Sequence, residues 1–143
     1  MTIIHRSALV RFPAQAMFDL VEDIESYPKF LPWCRATRIL LREGPVVEAE
    51  LEIAKGGFRK AFATRNTASE QGEIKMTLID GPFRYLEGAW KFLPLREDAS
   101  KISLDLDFEL SGTLASLAFG AMFNQICDTM VNAFSERAKV VYG

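Results

Sequence analysis

Side chains able to do acid–base or nucleophilic chemistry are few in this chain and do not gather. The single histidine, His5, lies in "MTIIHRSALVRF", with no Ser, Cys or carboxylate pattern around it that would mark a catalytic triad. It reads as a structural or surface histidine. No glycine-rich phosphate loop and no metal-ligand spacing occurs. Cys34 and Cys127 are far apart and build neither a disulfide framework nor a metal motif, so both read as reduced, small core hydrophobes. The carboxylates fall mostly at alternating positions of strand-like segments, which puts them on a wet face. General acid or base chemistry would need one of them inside, within reach of a substrate. Asp80, in "IDGPF", reads as a turn former, because Asp side chains hydrogen-bond to nearby backbone. The expectation is a protein that binds, with no catalytic residue, no metal and no resident cofactor.

Two features could serve binding. "ESYPKFLPWCRA", residues 25–36, places two prolines and three aromatics in a connecting segment, where polar residues are usual. Tyr27, Phe30, Leu31, Pro32 and Trp33 would form either a plug that closes a core or an apolar rim over a cavity. Pro28 and Pro32 stiffen the segment and bias the residue before each towards an extended backbone. The second feature is a local charge excess. Between Arg35 and Arg65 the basic residues Arg35, Arg38, Arg42, Lys55, Arg59, Lys60 and Arg65 outnumber Glu43, Glu48, Glu50 and Glu52. The whole chain, with 17 basic and 19 acidic residues and a net charge of -2, points to neither DNA nor an anionic membrane. Arg59, Lys60 and Arg65 are the candidates for a phosphate-contacting patch, although solvated strand faces commonly carry such mixtures.

The elements that must position these residues follow from periodicity. With 143 residues, 49% hydrophobic and 25% charged, the chain is sized for one globular domain over residues 1–143. It has no signal-peptide pattern and no apolar run near the ~20 residues that span a bilayer, so a soluble, cytoplasmic protein is expected. Residues 2–12 favour a strand, and Pro13 is expected at the first position of a helix whose apolar stripe is Met17, Leu20, Val21 and Ile24. From Trp33 onward a period of two, broken at 43–45, 55–57, 70–72, 80–82 and 96–100, predicts six strands. Residues 113–141 read as a long helix, apolar on more than one side in its first half. The fold class is therefore α+β: a curved antiparallel seven-stranded sheet wrapped around a long C-terminal helix, with a short helical segment after strand 1. Gly88, inside "FRYLEGAWKF", marks a bend or a close approach. Between sheet and helix, Leu86, Trp90, Phe92, Leu104, Leu106 and Phe108 would face Met122, Ile126 and Met130, either filling a core or lining a cavity.

Three segments make a family resemblance specific. "YPKFLPWC" (27–34), "LIDGPFRYLEGAWKF" (78–92) and "SLDLDFEL" (103–110), in that order and followed by the long apolar helix, resemble the coenzyme Q-binding protein and ribosome association toxin RatA family over essentially the whole chain. That family is START-like, in the superfamily of polyketide cyclases and lipid-transfer proteins, and the element order read above is that of its helix-grip fold. The resemblance implies non-enzymatic binding of ubiquinone or a similar polyprenyl lipid, as a chaperone or carrier supporting respiration. Alternatively it implies a toxin that binds the large ribosomal subunit and inhibits subunit association; a cyclase-like activity is its weakest implication. Under the first role, the rim and cavity residues hold the ligand, contact with the inner membrane is transient, and a donor serves the head group. Lys60, Thr64 and Asn66, which share one face of "FRKAFATRNT", are candidates for that donor, as are Tyr85 and Trp90. Under the second role, Arg59, Lys60 and Arg65 contact the ribosome. The chain starts directly at its first strand with no mitochondrial presequence, which looks bacterial.

Overall fold

The computed structural model describes residues 2–111 and 117–143. The chain runs β1 (Thr2–Val10), α1 (Ala14–Glu22), a 3-10 helix (Ile24–Lys29), β2 (Cys34–Glu43), β3 (Val46–Lys55), β4 (Phe58–Ser69), β5 (Glu73–Asp80), β6 (Phe83–Arg96), β7 (Ala99–Leu110) and α2 (Leu117–Tyr142). The strands form one antiparallel sheet in the order β1-β7-β6-β5-β4-β3-β2, so six consecutive strands meander and β1 closes the row beside β7. Each hairpin break lies where the turn residues predicted it. One two-residue connection joins β3 to β4 through Gly56 and Gly57, whose φ angles of 60° and 87° are those such a hairpin turn demands.

Alternation decides which face is dry. Val47, Ala49, Leu51 and Ile53 are buried while Glu48, Glu50 and Glu52 point outward, and Ile102, Leu104, Leu106 and Phe108 repeat the pattern on β7. The dry face is covered by α2, which buries Phe119, Met122, Phe123, Ile126, Cys127, Val131, Phe134 and Ala138. Val141, expected on this stripe, is 47% exposed because the helix has by then run past the sheet. The expected helix start near Thr113 lies outside the described residues. The far end of α2 is pinned to the start of α1: the Tyr142 hydroxyl donates to the Ala16 carbonyl at 3.0 Å, and its ring lies 6.0 Å from that of Phe12.

Two local expectations change. Pro13 is the N-cap of α1 and not its first helical residue; its carbonyl accepts the Met17 N–H at 3.2 Å. The helix stops at Glu22, and Ile24 reaches the core from the 3-10 turn that follows. That turn takes up Tyr27 and Pro28, so Tyr27 is not extended as the residue before a proline usually is. Tertiary anchoring overrides the bias: the buried Tyr27 hydroxyl donates to the Val21 carbonyl, and its backbone carbonyl accepts the N–H groups of Phe30 and Leu31.

Gly88 is a close-approach glycine. It pairs with Leu106 across β6 and β7, and a Cβ there would lie 2.2 Å from the Asp105 carbonyl oxygen and 2.7 Å from Leu106 Cδ2. Gly120, on α2, has room, with Leu110 Cδ1 3.7 Å from the corresponding position. Gly88→Ala should therefore lose about 1–3 kcal/mol by overpacking, whereas Gly120→Ala should gain up to about 1 kcal/mol of helix stability. Urea denaturation of both variants checks the contrast; equal effects would remove the role given to Gly88.

Candidate functional site: an apolar cavity beneath the long helix

Two helices, α1 and the longer α2, do not fill all the space over the dry face. Between α2 and the sheet lies a cavity of about 80 Å³, lined by Ile24, Tyr27, Trp33, Leu51, Phe62, Thr64, Asn66, Met76, Leu86, Trp90, Leu104, Leu106, Phe123, Ile126, Cys127, Met130 and Phe134. Edge-to-face aromatic contacts hold both of its ends. Phe123 packs 4.9 Å from Phe108 and 5.2 Å from Phe83, while Phe134 packs 5.2 Å from Trp90 and 5.4 Å from Tyr27. A second chamber of about 20 Å³ adjoins it, walled by Val21, Glu22, Ile24, Tyr27, Asn66, Ile74, Met76 and Trp90.

Of the residues expected around a cavity, Tyr27, Trp33, Leu86, Trp90, Leu104, Leu106, Ile126 and Met130 line it. Five others do not. Phe92 lies behind Trp90, in parallel contact with that ring and edge-on to Phe18, and Phe108 is spent on Phe83 and Phe123. Met122 and Leu31 are buried in the core away from the cavity wall. Phe30 packs against Tyr27 and Phe134 with the Arg137 guanidinium 5.2 Å over its ring, outside the cavity. The segment 27–33 thus supplies two wall residues, Tyr27 and Trp33; Leu31 closes the core, Phe30 is half-buried beside it, and Pro28, Lys29 and Pro32 are exposed, so Pro32 belongs to neither a rim nor a plug.

The polar content of the wall is small. Thr64 lies opposite a bulge in β5, where Ile79 is the extra residue between the pairs Ala63–Asp80 and Thr64–Leu78; it is buried and, in phase with Phe62 and Asn66, faces inward, where its hydroxyl donates to Asn66 Oδ1 at 2.9 Å. Thr64 and Asn66 were both head-group candidates, and both line the cavity together with Trp90. Lys60 does not line it: although in phase with Thr64, it is exposed near the β3–β4 hairpin. Tyr85 faces the other side of the sheet and donates to Asp107 at 3.0 Å. Burial raises the Cys127 thiol to about 12 and the Cys34 thiol to about 11, and it also raises the Tyr27 phenol, so all three are neutral at ordinary pH. His5 pairs with Asp105 on the outer face of β1 and β7, a cross-strand contact that sequence separation hid. Among the described residues no three His, Cys, Asp or Glu side chains are placed to hold a metal ion.

The outer face of β2, β3 and β4 carries the expected arginines, largely neutralised. Arg65 pairs with Glu48 at 2.7 Å, Arg59 with Glu52 at 2.6 Å, Arg35 with Glu52 at 3.2 Å and Arg38 with Glu50 at 3.7 Å. Four arginines thus meet three glutamates. Lys60 belongs to the opposite side of β4 from Arg59 and Arg65, because side chains alternate along a strand. The three candidates therefore do not form one patch.

A seven-stranded antiparallel sheet closed on a C-terminal helix over an apolar cavity defines a START-like domain. A family profile described as polyketide cyclase / dehydrase and lipid transport matches residues 10–135. The chain belongs to this family, and within it to the group of ribosome association toxin RatA and the coenzyme Q-binding proteins. It is 47% identical to ribosome association toxin RatA of Pseudomonas aeruginosa, covering 99% of each chain. It is 28% identical to a mitochondrial coenzyme Q-binding protein homolog of Xenopus laevis, over 96% of this chain and 58% of that one. Among solved structures, the ZhuI aromatase/cyclase from Streptomyces sp. R1128 superposes with a TM-score of 0.84 at 16% identity, covering 96% of this chain and 93% of that one. That likeness is one of fold. Among the described residues no helix is long and apolar enough to cross a membrane.

The thiols give a direct check of the buried wall. At about pH 8 an ordinary thiol is partly ionised, whereas Cys34 and Cys127 should resist alkylation in the native protein and both react once it is denatured. Rapid labelling of Cys127 in the native protein would mean that the cavity is open to water.

Proposed function

We propose that the protein is a non-enzymatic binder of ubiquinone or a similar polyprenyl lipid, acting as a chaperone or carrier. The observation that carries this reading is the cavity wall itself: among the described residues it is apolar apart from the Thr64–Asn66 pair, the Cys127 thiol, the Tyr27 hydroxyl and the indole N–H groups of Trp33 and Trp90, and it is set between two aromatic clusters. Affinity in such a site comes from apolar burial at about 25 cal/mol per Å², with one or two polar groups to orient a head group. The cavity of about 80 Å³ falls well short of the roughly 300–1,000 Å³ usual for small-molecule pockets. Binding therefore requires the wall to give way, and Met76 and Met130 are the adaptable side chains placed to do so. A polyprenyl tail would leave past Tyr27 and Trp33. Among the described residues the main cavity wall carries no carboxylate and no histidine, which supports binding over acid–base catalysis.

Mass spectrometry of an organic extract tests this, using protein purified from a quinone-producing bacterium alongside an unrelated soluble control domain. Near-stoichiometric quinone is expected. Ile126→Thr and Met130→Gln, each placing a polar group in the wall, should cut the retained lipid roughly tenfold while the protein stays folded. An extract without lipid, repeated after incubation with quinone-loaded vesicles, would sink the reading.

A second reading, association with the large ribosomal subunit, is favoured by relatives of 45–47% identity that bear the name ribosome association toxin RatA. The candidate contacts are Arg59 and Arg65, which would exchange Glu52 and Glu48 for rRNA phosphates. Replacing both by Gln should weaken co-sedimentation with the subunit and lower its salt dependence by about two phosphate contacts. Unchanged sedimentation would remove this face from the interaction.

A further inference from the structure

We propose that the small chamber beside the main cavity is a hydroxyl-recognition subsite, in which Glu22 and Asn66 together bind one phenolic or hydroquinone O–H of a ligand whose apolar body occupies the main cavity. The inference deepens the binding reading above and rests on it.

The volume of this chamber, about 20 Å³, accommodates one oxygen-sized group and little more. Glu22 and Asn66 both face it, so a single group placed there lies within reach of both. Asn66, Tyr27, Met76 and Trp90 also line the main cavity, which makes the chamber its polar annex and not a separate surface dimple. The two polar side chains have complementary chemistry. Asn66 Oδ1 already accepts from Thr64 Oγ1 at 2.9 Å, which orients the amide and leaves its NH2 group to donate. Glu22, when ionised, can only accept. The Tyr27 hydroxyl does not compete for Glu22, because its one proton goes to the Val21 carbonyl.

Glu22 breaks three local rules at once. It is the last residue of α1, where the helix dipole disfavours a negative charge. It is partly buried, and it has neither a hydrogen bond nor an ion pair among the described residues. Burial holds its carboxyl above the usual range; Arg42 opposes this through space and Asp19 adds to it. Such departures concentrate at functional sites. A hydroxyl that donates to Glu22 and accepts from Asn66 satisfies both groups. A quinone carbonyl offers only lone pairs, which Asn66 can use and an ionised Glu22 repels. The subsite therefore selects the reduced, hydroxyl-bearing form of a quinone-type head.

Binding of a short-chain ubiquinol and of its quinone, followed anaerobically through the fluorescence of the tryptophans in the cavity wall, tests this on the full chain. The quinol should bind roughly tenfold more tightly, the increment of one charge-assisted hydrogen bond. Glu22→Leu should erase that preference without weakening the quinone, and Asn66→Leu should weaken both forms. Glu22→Gln keeps the size of the side chain and should reduce the preference if Glu22→Leu disturbs the helix end. Equal affinity for both forms, unchanged in the Glu22 variants, would overturn the subsite and leave the cavity reading standing. Failure of both forms to bind would overturn the subsite and the cavity reading together.

Discussion

Two helices of unequal length cover the dry face of seven strands, α1 against β6 and β7 and the longer α2 across the sheet, and the rest of the structure is arranged around that cover. A sheet this wide can be served by them only if it curves around the long helix. Gly88 permits the curvature by letting β6 and β7 come closer than any side chain would allow. The helix answers by presenting apolar side chains over a broad arc from Phe119 to Ala138. Tyr142 and Phe12 fix one of its ends against α1, and the Arg6–Asp128 ion pair ties it to β1.

The cavity is a consequence of the same geometry. Large rings pack well in pairs but leave gaps where a cluster ends, and here the clusters around Phe123 and Phe134 stand apart along α2. The space between them is bounded by Leu, Ile and Met side chains that can shift more readily than rings. An interior of this kind is dense enough to hold the fold and loose enough to admit an apolar guest. Its amide and hydroxyl groups come from inward positions of β4, Thr64 and Asn66, beside a bulge in β5, and the adjoining chamber adds Glu22 at the last residue of α1.

The outer surface obeys a different logic. Glutamates on β3 alternate with its core residues and stand opposite arginines on β2 and β4, so ion pairs lace the strands together. Exposed pairs of this kind contribute little to stability. Their effect is to cancel most of a charge excess that looks basic when counted along the chain.

The sequence by itself determined the elements, their order and the dry face, because period-two alternation and glycine- or proline-marked turns are local signals that tertiary packing had no reason to overrule. It also placed Tyr27, Trp33, Leu86, Trp90, Leu104, Leu106, Ile126 and Met130 on the inward side. Only the tertiary structure decided which inward residues border empty space. Phe92, Phe108 and Met122 have the same periodicity as their neighbours, yet Phe92 meets Phe18, Phe108 meets Phe123, and Met122 is buried away from the wall. Phe62, Phe123 and Phe134 were legible as apolar but not as walls. Glu22 carried no signal at all, since its meaning depends on what α1 and β4 bring beside it. Lys60 and the arginine pairs went unread for the same reason: a side chain's partner is set by strand register and a strand's end, which fold in space and leave no mark at a single position.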